Sequence, residues 1–215
     1  MRASDRAYAM LREDIVEWRL PPGTVLGEVE QSQRLGISRT PLREALGRLT
    51  ADGLTAPHNG RGVVVTPISP ETVGSLFELR QALECQAASL AARRGDPAVF
   101  RGLRADFEAA AARLGADPDE DPARRGYYAL VARLDAAIDG AAANPYLTQA
   151  LGNVRLHLAR VRRLAKDNPA RLRDTAAEHA TIAAAIAAGD PALAAAATSV
   201  HLHKSLEHFN TVHHP

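Results

Sequence analysis

The stretch of sequence that decides the fold spans residues 38–46 and reads Ser-Arg-Thr-Pro-Leu-Arg-Glu-Ala-Leu. Ser38 is a favoured N-cap residue, because its hydroxyl can accept an unpaired N–H of the first turn. Pro41 falls within that turn, where a missing N–H costs nothing. The next residues follow the i, i+3, i+4, i+7 apolar spacing of an amphipathic helix, and they are Leu42, Ala45, Leu46 and Leu49.

The polar residues of this helix lie on a different face from the apolar ones. Arg39 and Arg43 are four residues apart, and Thr40 lies beside them. Residues four apart on a helix are neighbours, so both guanidinium groups point the same way. The pattern is typical of a DNA recognition helix.

The flanking sequence predicts a helix-turn-helix motif. Residues 28–35 form a short helical segment, and Gly36-Ile37 makes the tight link to the second helix, which ends at Gly53. An earlier helix is expected over about residues 5–18, with Tyr8, Leu11, Ile15 and Trp18 packed inward.

A β-hairpin follows the recognition helix. Residues 54–57 and the β-branched run at 62–66 flank a turn at 58–61 that contains Asn59-Gly60. Asn-Gly between two extended segments is the strongest short-range hairpin signal. Residues 1–67 are therefore expected to form a winged helix-turn-helix domain.

Composition is that of an ordinary globular chain of 215 residues, with 46% hydrophobic and 24% charged residues. We find no apolar run of the ~18 residues that a membrane span needs and no signal-peptide segment after Met1, so we expect a cytoplasmic protein with no membrane partner. Cys85 is the single cysteine and has no intrachain disulfide partner. The net charge of +1 is no evidence for nucleic-acid binding, so that prediction rests on the motif.

From residue 68 onward, strand signals vanish and alanine dominates. Six dipeptides pair a favoured N-cap residue with proline at the first helical position: Ser69-Pro70, Asp96-Pro97, Asp121-Pro122, Asn144-Pro145, Asn168-Pro169 and Asp190-Pro191. They predict helices at about 70–94, 97–115, 122–142, 145–166, 169–188 and 191–210. The expected fold is mostly α, with the winged domain followed by an antiparallel six-helix bundle over residues 68–215.

The chain resembles GntR-family transcriptional regulators of the FadR subfamily over nearly its whole length, and its six helices resemble the VanR-type branch. Residues of the second domain that carry the resemblance form the run Leu79-Arg80-Gln81-Ala82-Leu83-Glu84. Those of the first domain include Leu35-Gly36, Ser38-Arg39-Thr40-Pro41, Arg43-Glu44-Ala45-Leu46, Gly53-Leu54 and Gly60-Arg61-Gly62. Gln31-Ser32 departs from the Leu-Ala usual in the family.

The resemblance implies a homodimer that binds a palindromic double-stranded DNA operator, acts as a repressor and responds to a small organic acid. The positions that match the family's DNA contacts are Ser38, Arg39, Thr40, Arg43, Gly60 and Arg61. Arginine can bind guanine O6 and N7 bidentately, while hydroxyls and a helix N-terminus hold phosphate. Gly60 can equally be a turn residue only.

The resemblance also implies a divalent metal within the bundle, held by Asp-x-x-x-His and by single histidines on two later helices. The matching residues are Asp135, Asp139, His179 and His201, with Asp139 in place of the expected histidine. Two carboxylates and two imidazoles suit Zn²⁺, Mn²⁺, Fe²⁺ or Ni²⁺. Each histidine can instead be a hydrogen-bonded core residue; His157 and His203 are alternative imidazoles if the helix register differs.

An effector carboxylate needs a cationic partner in the bundle. Arg80 on its first helix is the main candidate, since a guanidinium pairs bidentately with a carboxylate; Arg155 and Arg160 on the fourth helix are weaker ones. A position at the surface or at a domain interface is the alternative for Arg80.

Two functions from other classes compete with this one. A helical metalloenzyme fused to a winged domain would need Glu-x-x-His pairs on facing helices, which the bundle helices lack. Gly-rich phosphate loops and nucleophile elbows are also missing, so we predict that the chain is not an enzyme. The other alternative is a winged domain that binds protein rather than DNA.

Overall fold

The computed structural model describes residues 1–59, 62–116, 121–164 and 169–213, and at 115–116, 121–124, 163–164, 169 and 213 it describes the backbone alone. These residues divide into two compact units. The first comprises Met1–Val73 together with Arg155–Leu164, and the second comprises Gly74–Val154 and Ala165–Pro215. The domain boundary expected from the sequence lay at residue 67.

The first unit begins with three helices and a small sheet. In chain order its elements are α1 (Ala3–Val16), β1 (Val25–Leu26), α2 (Glu28–Leu35), α3 (Arg39–Ala51), β2 (Thr55–Pro57) and β3 (Val63–Val65). The linker of α2 and α3 contains Gly36 at φ 62°, a left-handed conformation that glycine adopts without a steric cost. The helix-turn-helix prediction is confirmed, including both ends of α2.

The sheet has three antiparallel strands in the order β1-β3-β2. Val64 of the central strand is opposite Val25 on one side and Ala56 on the other. The hairpin prediction for β2 and β3 is confirmed, whereas β1 was not predicted, because two residues are too few for an alternating pattern.

The core of the first unit is aliphatic. Its completely or almost completely buried side chains are Leu11, Ile15, Leu26, Leu42, Leu46, Leu49, Leu54, Val65 and Leu156. Full burial of each such side chain contributes about 1.5–3 kcal/mol. The apolar face predicted for α3 therefore forms the centre of this core, which leaves the other face of α3 to solvent.

Two local predictions for this unit were wrong. α1 ends at Val16 instead of continuing to Trp18, because Trp18 adopts φ 58° and cannot continue a right-handed helix. Ser38 occupies the N-cap position of α3 with extended backbone angles, but its side chain makes no capping hydrogen bond.

The second unit is built from six helices, except that residues 70–73 at the start of the first helix and 155–164 at the end of the fourth belong to the first unit. They are α4 (Pro70–Arg94), α5 (Pro97–Ala116), α6 (Asp121–Ala142), α7 (Pro145–Leu164), α8 (Pro169–Ala187) and α9 (Pro191–His213). Five begin at the predicted proline and the sixth, α6, one residue before it.

Side-chain caps explain why the helix starts were readable from sequence. Asn144 accepts backbone N–H groups of residues 146 and 147 at 3.2 Å, and Asp190 accepts those of residues 192 and 193 at 3.0 and 2.9 Å. Ser69 and Asp96 cap α4 and α5 in the same way. The side chains of Asp121 and Asn168 lie outside the described residues.

The core of the second unit combines two phenylalanines with many alanines. α5 packs along α8, and α8 along α9. Phe100 and Phe107 are buried against small residues such as Ala176, Ala183 and Ala194, which permit close helix approach. In the described part of the chain, no helix has the length and apolar character that a bilayer span requires.

Candidate DNA-binding surface and effector pocket

The start of α3 presents a polar, cationic surface. Ser38, Arg39, Thr40 and Arg43 are all exposed. The first turn of α3 contains no acidic residue, and with Ser38 not capping, its leading N–H groups are open to an external acceptor. This combination of hydroxyls, guanidinium groups and a helix N-terminus is suited to bind phosphate and base edges.

One recognition arginine is paired with α2. The Arg43 Nε lies 2.9 Å from both carboxylate oxygens of Glu28, and its Nη2 lies 2.8 Å from Oε2. The Arg43 side chain stays 64% exposed. The hydrogen bond from Arg43 lowers the pKa of Glu28, and the charge of Arg39 lowers it further. Glu28 is one of the residues that carry the family resemblance, but sequence reasoning did not predict its pairing with Arg43, fifteen residues away.

The wing is described only at its base. The predicted contact residues Gly60 and Arg61 lie outside the described residues. At the edge of the gap, the His58 N–H donates to the Gly62 carbonyl at 3.1 Å. Gly62 has φ 112°, and a Cβ there would lie 2.3 Å from the Leu26 carbonyl oxygen, so only glycine fits.

The departure from the family pattern at Gln31-Ser32 is accommodated by hydrogen bonds. Gln31 is only 2% exposed and accepts from Arg34 Nε at 2.8 Å. Ser32 Oγ donates to the Ile37 carbonyl at 2.5 Å, across the turn. Arg34 also bonds the buried Asp14 at 2.7 Å, so a polar network replaces apolar packing at this place.

In the second unit, the two predicted histidines meet in a buried aromatic cluster. The His179 and His201 ring centroids are 4.5 Å apart, and His179 stacks on Phe107 at 5.0 Å. The Tyr127 hydroxyl lies 3.2 Å from His179 Nδ1. His179 and His201 are 7% and 6% exposed. Two imidazoles from α8 and α9 therefore lie next to each other in the interior of the second unit.

Glu178 fixes the orientation of His201. The His201 Nδ1–H donates to Glu178 Oε2 at 2.8 Å, and Arg171 binds the same carboxylate through both terminal nitrogens at 2.7 and 3.0 Å. Burial would raise the pKa of Glu178, but these bonds outweigh burial and lower it to about 2. Burial also lowers the pKa of His201. A neutral His201 therefore presents Nε2 as its remaining acceptor.

The two carboxylates of the predicted metal site do not complete a ligand set with these histidines. Asp135 and Asp139 are half-buried on α6. Among the residues that the structure describes, no group of three or more His, Cys, Asp or Glu side chains is placed to hold a metal ion. Asp139 has a shorter reach than the imidazole usual at its position. The predicted four-residue set therefore does not fit as a metal centre.

The alternative imidazoles lie elsewhere. His203 is 72% exposed and pairs with Glu207 at 3.2 Å. His157 belongs to the first unit, where its Nε2 donates to the Asp52 carbonyl at 2.8 Å, directly after α3. Neither takes the place of a missing ligand in the His179–His201 site.

The candidate effector arginines have different surroundings. Arg80 is 4% exposed; its Nε donates to Glu84 at 2.7 Å, and its guanidinium lies 4.6 Å from the Phe77 ring centroid. Arg155 is half-buried on the part of α7 that belongs to the first unit. Arg160 is also in that part and donates to Thr66 Oγ1 and O at 3.0 and 2.5 Å. Arg160 is therefore engaged with the backbone that follows the sheet.

A concave surface lies between α8 and α9. It is an open groove of about 530 Å³ whose lining includes the cationic side chains of Arg171 and Lys204 and the acidic side chains of Asp174, Glu178 and Glu207. Its charges are mixed, so they favour no single sign of ligand.

Two family descriptions match the chain: "Bacterial regulatory proteins, gntR family" over residues 3–65 and "FCD domain" over residues 75–204. The second match alone covers more than half of the chain. The chain therefore belongs to the gntR family of bacterial transcriptional regulators, in the group whose second domain is an FCD domain. It is a regulator family and not a family of enzymes.

Known relatives agree with this assignment. A Paenarthrobacter nicotinovorans protein described as "Probable D-xylose utilization operon transcriptional repressor" is 31% identical over 190 residues, 88% of this chain and 80% of that protein. The Escherichia coli K12 "HTH-type transcriptional repressor RspR" is 42% identical over 89 residues, 41% of this chain. This last match spans 39% of the RspR length, and a match to an Agrobacterium vitis regulator spans 48% of that protein.

Solved structures share the fold. The E. coli protein McbR/YncC superposes with a TM-score of 0.74 at 20% identity, and 99% of each chain is covered. A GntR regulator from Rhodococcus superposes with a TM-score of 0.72 at 21% identity, with 97% of each chain covered. Identities this low support the architecture and nothing finer.

Proposed function

We propose that the chain is a transcriptional repressor that binds a palindromic DNA operator as a homodimer and is released by a small carboxylate effector. The exposed polar start of α3 is the observation that carries the proposal. Ser38, Arg39, Thr40 and Arg43 share one exposed surface, while the opposite face of the same helix forms the core. The relatives named as repressors support the sign of action.

Arg39 and Arg43 are the residues we expect to contact base edges. A bidentate arginine–guanine pair contributes about 1–3 kcal/mol of discrimination against other bases. Ser38 and Thr40 hydroxyls, with the open N–H groups of the first turn, are expected to hold phosphate and fix the register. Gly60 and Arg61 extend the proposed contact to the wing.

The test is DNA binding by substituted proteins. Duplexes selected by the wild-type chain from a random library serve as the probe, and fluorescence polarisation gives the dissociation constants. Arg39→Ala and Arg43→Ala are expected to weaken binding at least tenfold each, because each removes a base contact and a phosphate-attracting charge. Arg12→Ala, which replaces an exposed arginine of α1, is the matched control. Unchanged binding by both variants contradicts a DNA-binding role for α3, and a wild-type chain that selects no duplex favours a protein partner.

The dimer is a separate part of the proposal. A two-fold axis in the protein predicts two half-sites about one helical turn apart, or a multiple of it. Sedimentation equilibrium gives the mass, and footprinting gives the half-site spacing. A monomer on a single half-site contradicts this part while leaving DNA binding intact.

Arg80 is proposed as the anchor for an effector carboxylate. Burial is the main cause of the lowered pKa of His201; the charge of Arg80 lowers that pKa further, and the charge of Glu84 raises it. Glu84 already accepts from Arg80. An incoming carboxylate must therefore compete with Glu84 for the guanidinium, while the imidazoles supply further polar contacts. Arg155 stays a prediction for this role.

Effector binding is tested with a panel of short hydroxy- and dicarboxylates, scored by release of the selected duplex. Arg80→Met is expected to abolish the response while leaving DNA affinity without effector unchanged. Arg104→Met, an exposed arginine of α5 that is also paired with a glutamate four residues on, is the matched control. A normal response from Arg80→Met contradicts the anchor role.

A further inference from the structure

The contact between Glu28 and Arg43 links the first residue of α2 to the recognition helix. Three short distances define it: Arg43 Nε to Glu28 Oε1 and Oε2, both 2.9 Å, and Arg43 Nη2 to Oε2, 2.8 Å. The Gly36 turn sets α2 beside α3 and makes the contact possible. The carboxylate thus holds one edge of the guanidinium plane.

The contact with Glu28 uses only one edge of the Arg43 guanidinium and leaves its other edge available for hydrogen bonds. A guanidinium has five N–H donors, of which Glu28 occupies the Nε–H and one on Nη2. The outer edge, formed by Nη1 and the second hydrogen of Nη2, can still donate two parallel hydrogen bonds to guanine O6 and N7. The Arg43 side chain is 64% exposed, so it is accessible to DNA. An arginine side chain that no partner holds beforehand loses much rotamer freedom when it binds DNA.

Glu28 also has an electrostatic effect on the neighbouring arginine. The hydrogen bond from Arg43 is the main cause of the lowered pKa of Glu28, and the charge of Arg39 lowers that pKa further. A fixed negative charge beside them opposes the attraction of phosphate at any DNA sequence. A correctly placed guanine still gains the aligned contact. Alignment of Arg43 favours the correct DNA sequence and the negative charge of Glu28 weakens binding to all sequences, so both effects increase sequence discrimination.

We infer that Glu28 is a positioning residue for DNA recognition, which aligns Arg43 for a base and restrains non-specific attraction to the DNA backbone. The inference rests on the proposed function, because it assigns Glu28 a role through Arg43 at the DNA. Its chemical target is the guanine edge that Arg43 reads. Glu28 itself makes no base contact in this scheme.

The experiment compares the wild type with Glu28→Gln, and Glu30→Gln is the matched control. Glu30 lies in the same first turn of α2, carries the same charge, and is not a partner of Arg43 in the described structure. Fluorescence polarisation at fixed salt measures affinity for the selected duplex and for a scrambled duplex of the same composition. The decisive quantity is the ratio of the two affinities.

Glu28→Gln is expected to lower the ratio about fivefold, a partial loss of one aligned arginine–guanine pair. Scrambled-duplex affinity should rise and selected-duplex affinity should fall. Glu30→Gln should leave the ratio within about twofold, since it changes the general charge alone. Thermal melting should shift little for either variant, because exposed ion pairs contribute little stability.

A double-mutant cycle separates positioning from a structural role. In an Arg43→Ala background, Glu28→Gln is expected to leave the ratio unchanged, since the residue that it positions is absent. The same fall in both backgrounds, or a ratio unchanged by Glu28→Gln in the wild type, overturns the inference. A wild type that fails to prefer the selected duplex refutes the proposed function as well. Preference that depends on Arg43 but not on Glu28 refutes this inference alone.

Discussion

Replacement of Arg160 by alanine is expected to destabilise the first unit strongly. Arg160 is 2% exposed, and its two terminal nitrogens donate to the hydroxyl and the carbonyl of Thr66. Burial lowers the pKa of Arg160, as expected for a cation removed from water. Thr66 follows β3, so this arginine ties α7 to the end of the winged domain within one compact unit.

The magnitude follows from the two hydrogen bonds. Each bond from a charged donor contributes about 1.5 kcal/mol at the low end of its range, so Arg160→Ala should cost about 3 kcal/mol. Thr66→Val removes a hydroxyl that accepts from Arg160 and also donates to the Gly53 carbonyl at 2.9 Å, so it should cost about 2.5 kcal/mol. Arg162→Ala, two residues along α7 and exposed, should cost no more than about 0.5 kcal/mol.

Trp18 makes the measurement specific to this unit, because it is the single tryptophan and belongs to the first unit. Urea unfolding followed by tryptophan fluorescence reports that unit, and circular dichroism reports the whole chain. A transition with a slope of about 1.5 kcal/mol/M should shift by about 2 M in Arg160→Ala. A shift no larger than that of Arg162→Ala refutes the assigned role of the buried contact.

Three further outcomes are expected. Burial lowers the pKa of His157 below its unfolded value of 6.5, so the unfolded chain binds a proton that the folded chain does not, and the free energy of unfolding should fall as the pH drops from about 7 to 5. His157→Gln, which keeps an N–H donor, should flatten this pH dependence in the unfolding transition reported by Trp18. An identical pH profile for the variant and the wild type contradicts the role of His157. Gly62→Ala should lower the free energy of unfolding by at least about 2 kcal/mol, because the new Cβ clashes with the Leu26 carbonyl. Gly47→Ala, in open space on α3, should raise it by about 0.5 kcal/mol. Equal effects of the two substitutions in urea unfolding would contradict the strain argument. Asp139→His restores the imidazole usual in the family, so elemental analysis should find about one bound Mn²⁺ or Zn²⁺ per chain in the variant and less in the wild type. A wild type that already holds one metal ion per chain would show that the present ligand set suffices.

Helix boundaries were largely predictable because their causes are local. Asn144 caps α7 through N–H groups two and three residues away, and Pro145 occupies the first position. Gly36 and the predicted hairpin are also local signals, each contained within a few residues. The same reasoning failed at Trp18, where the backbone conformation and not the residue type ended α1.

The candidate sites were less predictable because they depend on partners far along the chain. Sequence placed Arg43 on a DNA-facing surface but did not reveal Glu28, and it placed Arg80 in the bundle without showing that Glu84 already occupies its guanidinium. His201 was correctly paired in space with His179, yet its carboxylate partner is Glu178 rather than a ligand on α6.

By itself, the sequence determined the order and bounds of most helices, the winged helix-turn-helix pattern and the family, because caps, turns and apolar periodicity act over a few residues. Only the tertiary structure decided which charged groups pair and which stay exposed. The end of α7 shows why. Leu156 joins the core of the first unit, and His157 and Arg160 bond to residues that lie 105 and 94 positions earlier in the chain. Such contacts depend on how helices pack, and no local pattern in either segment encodes the match.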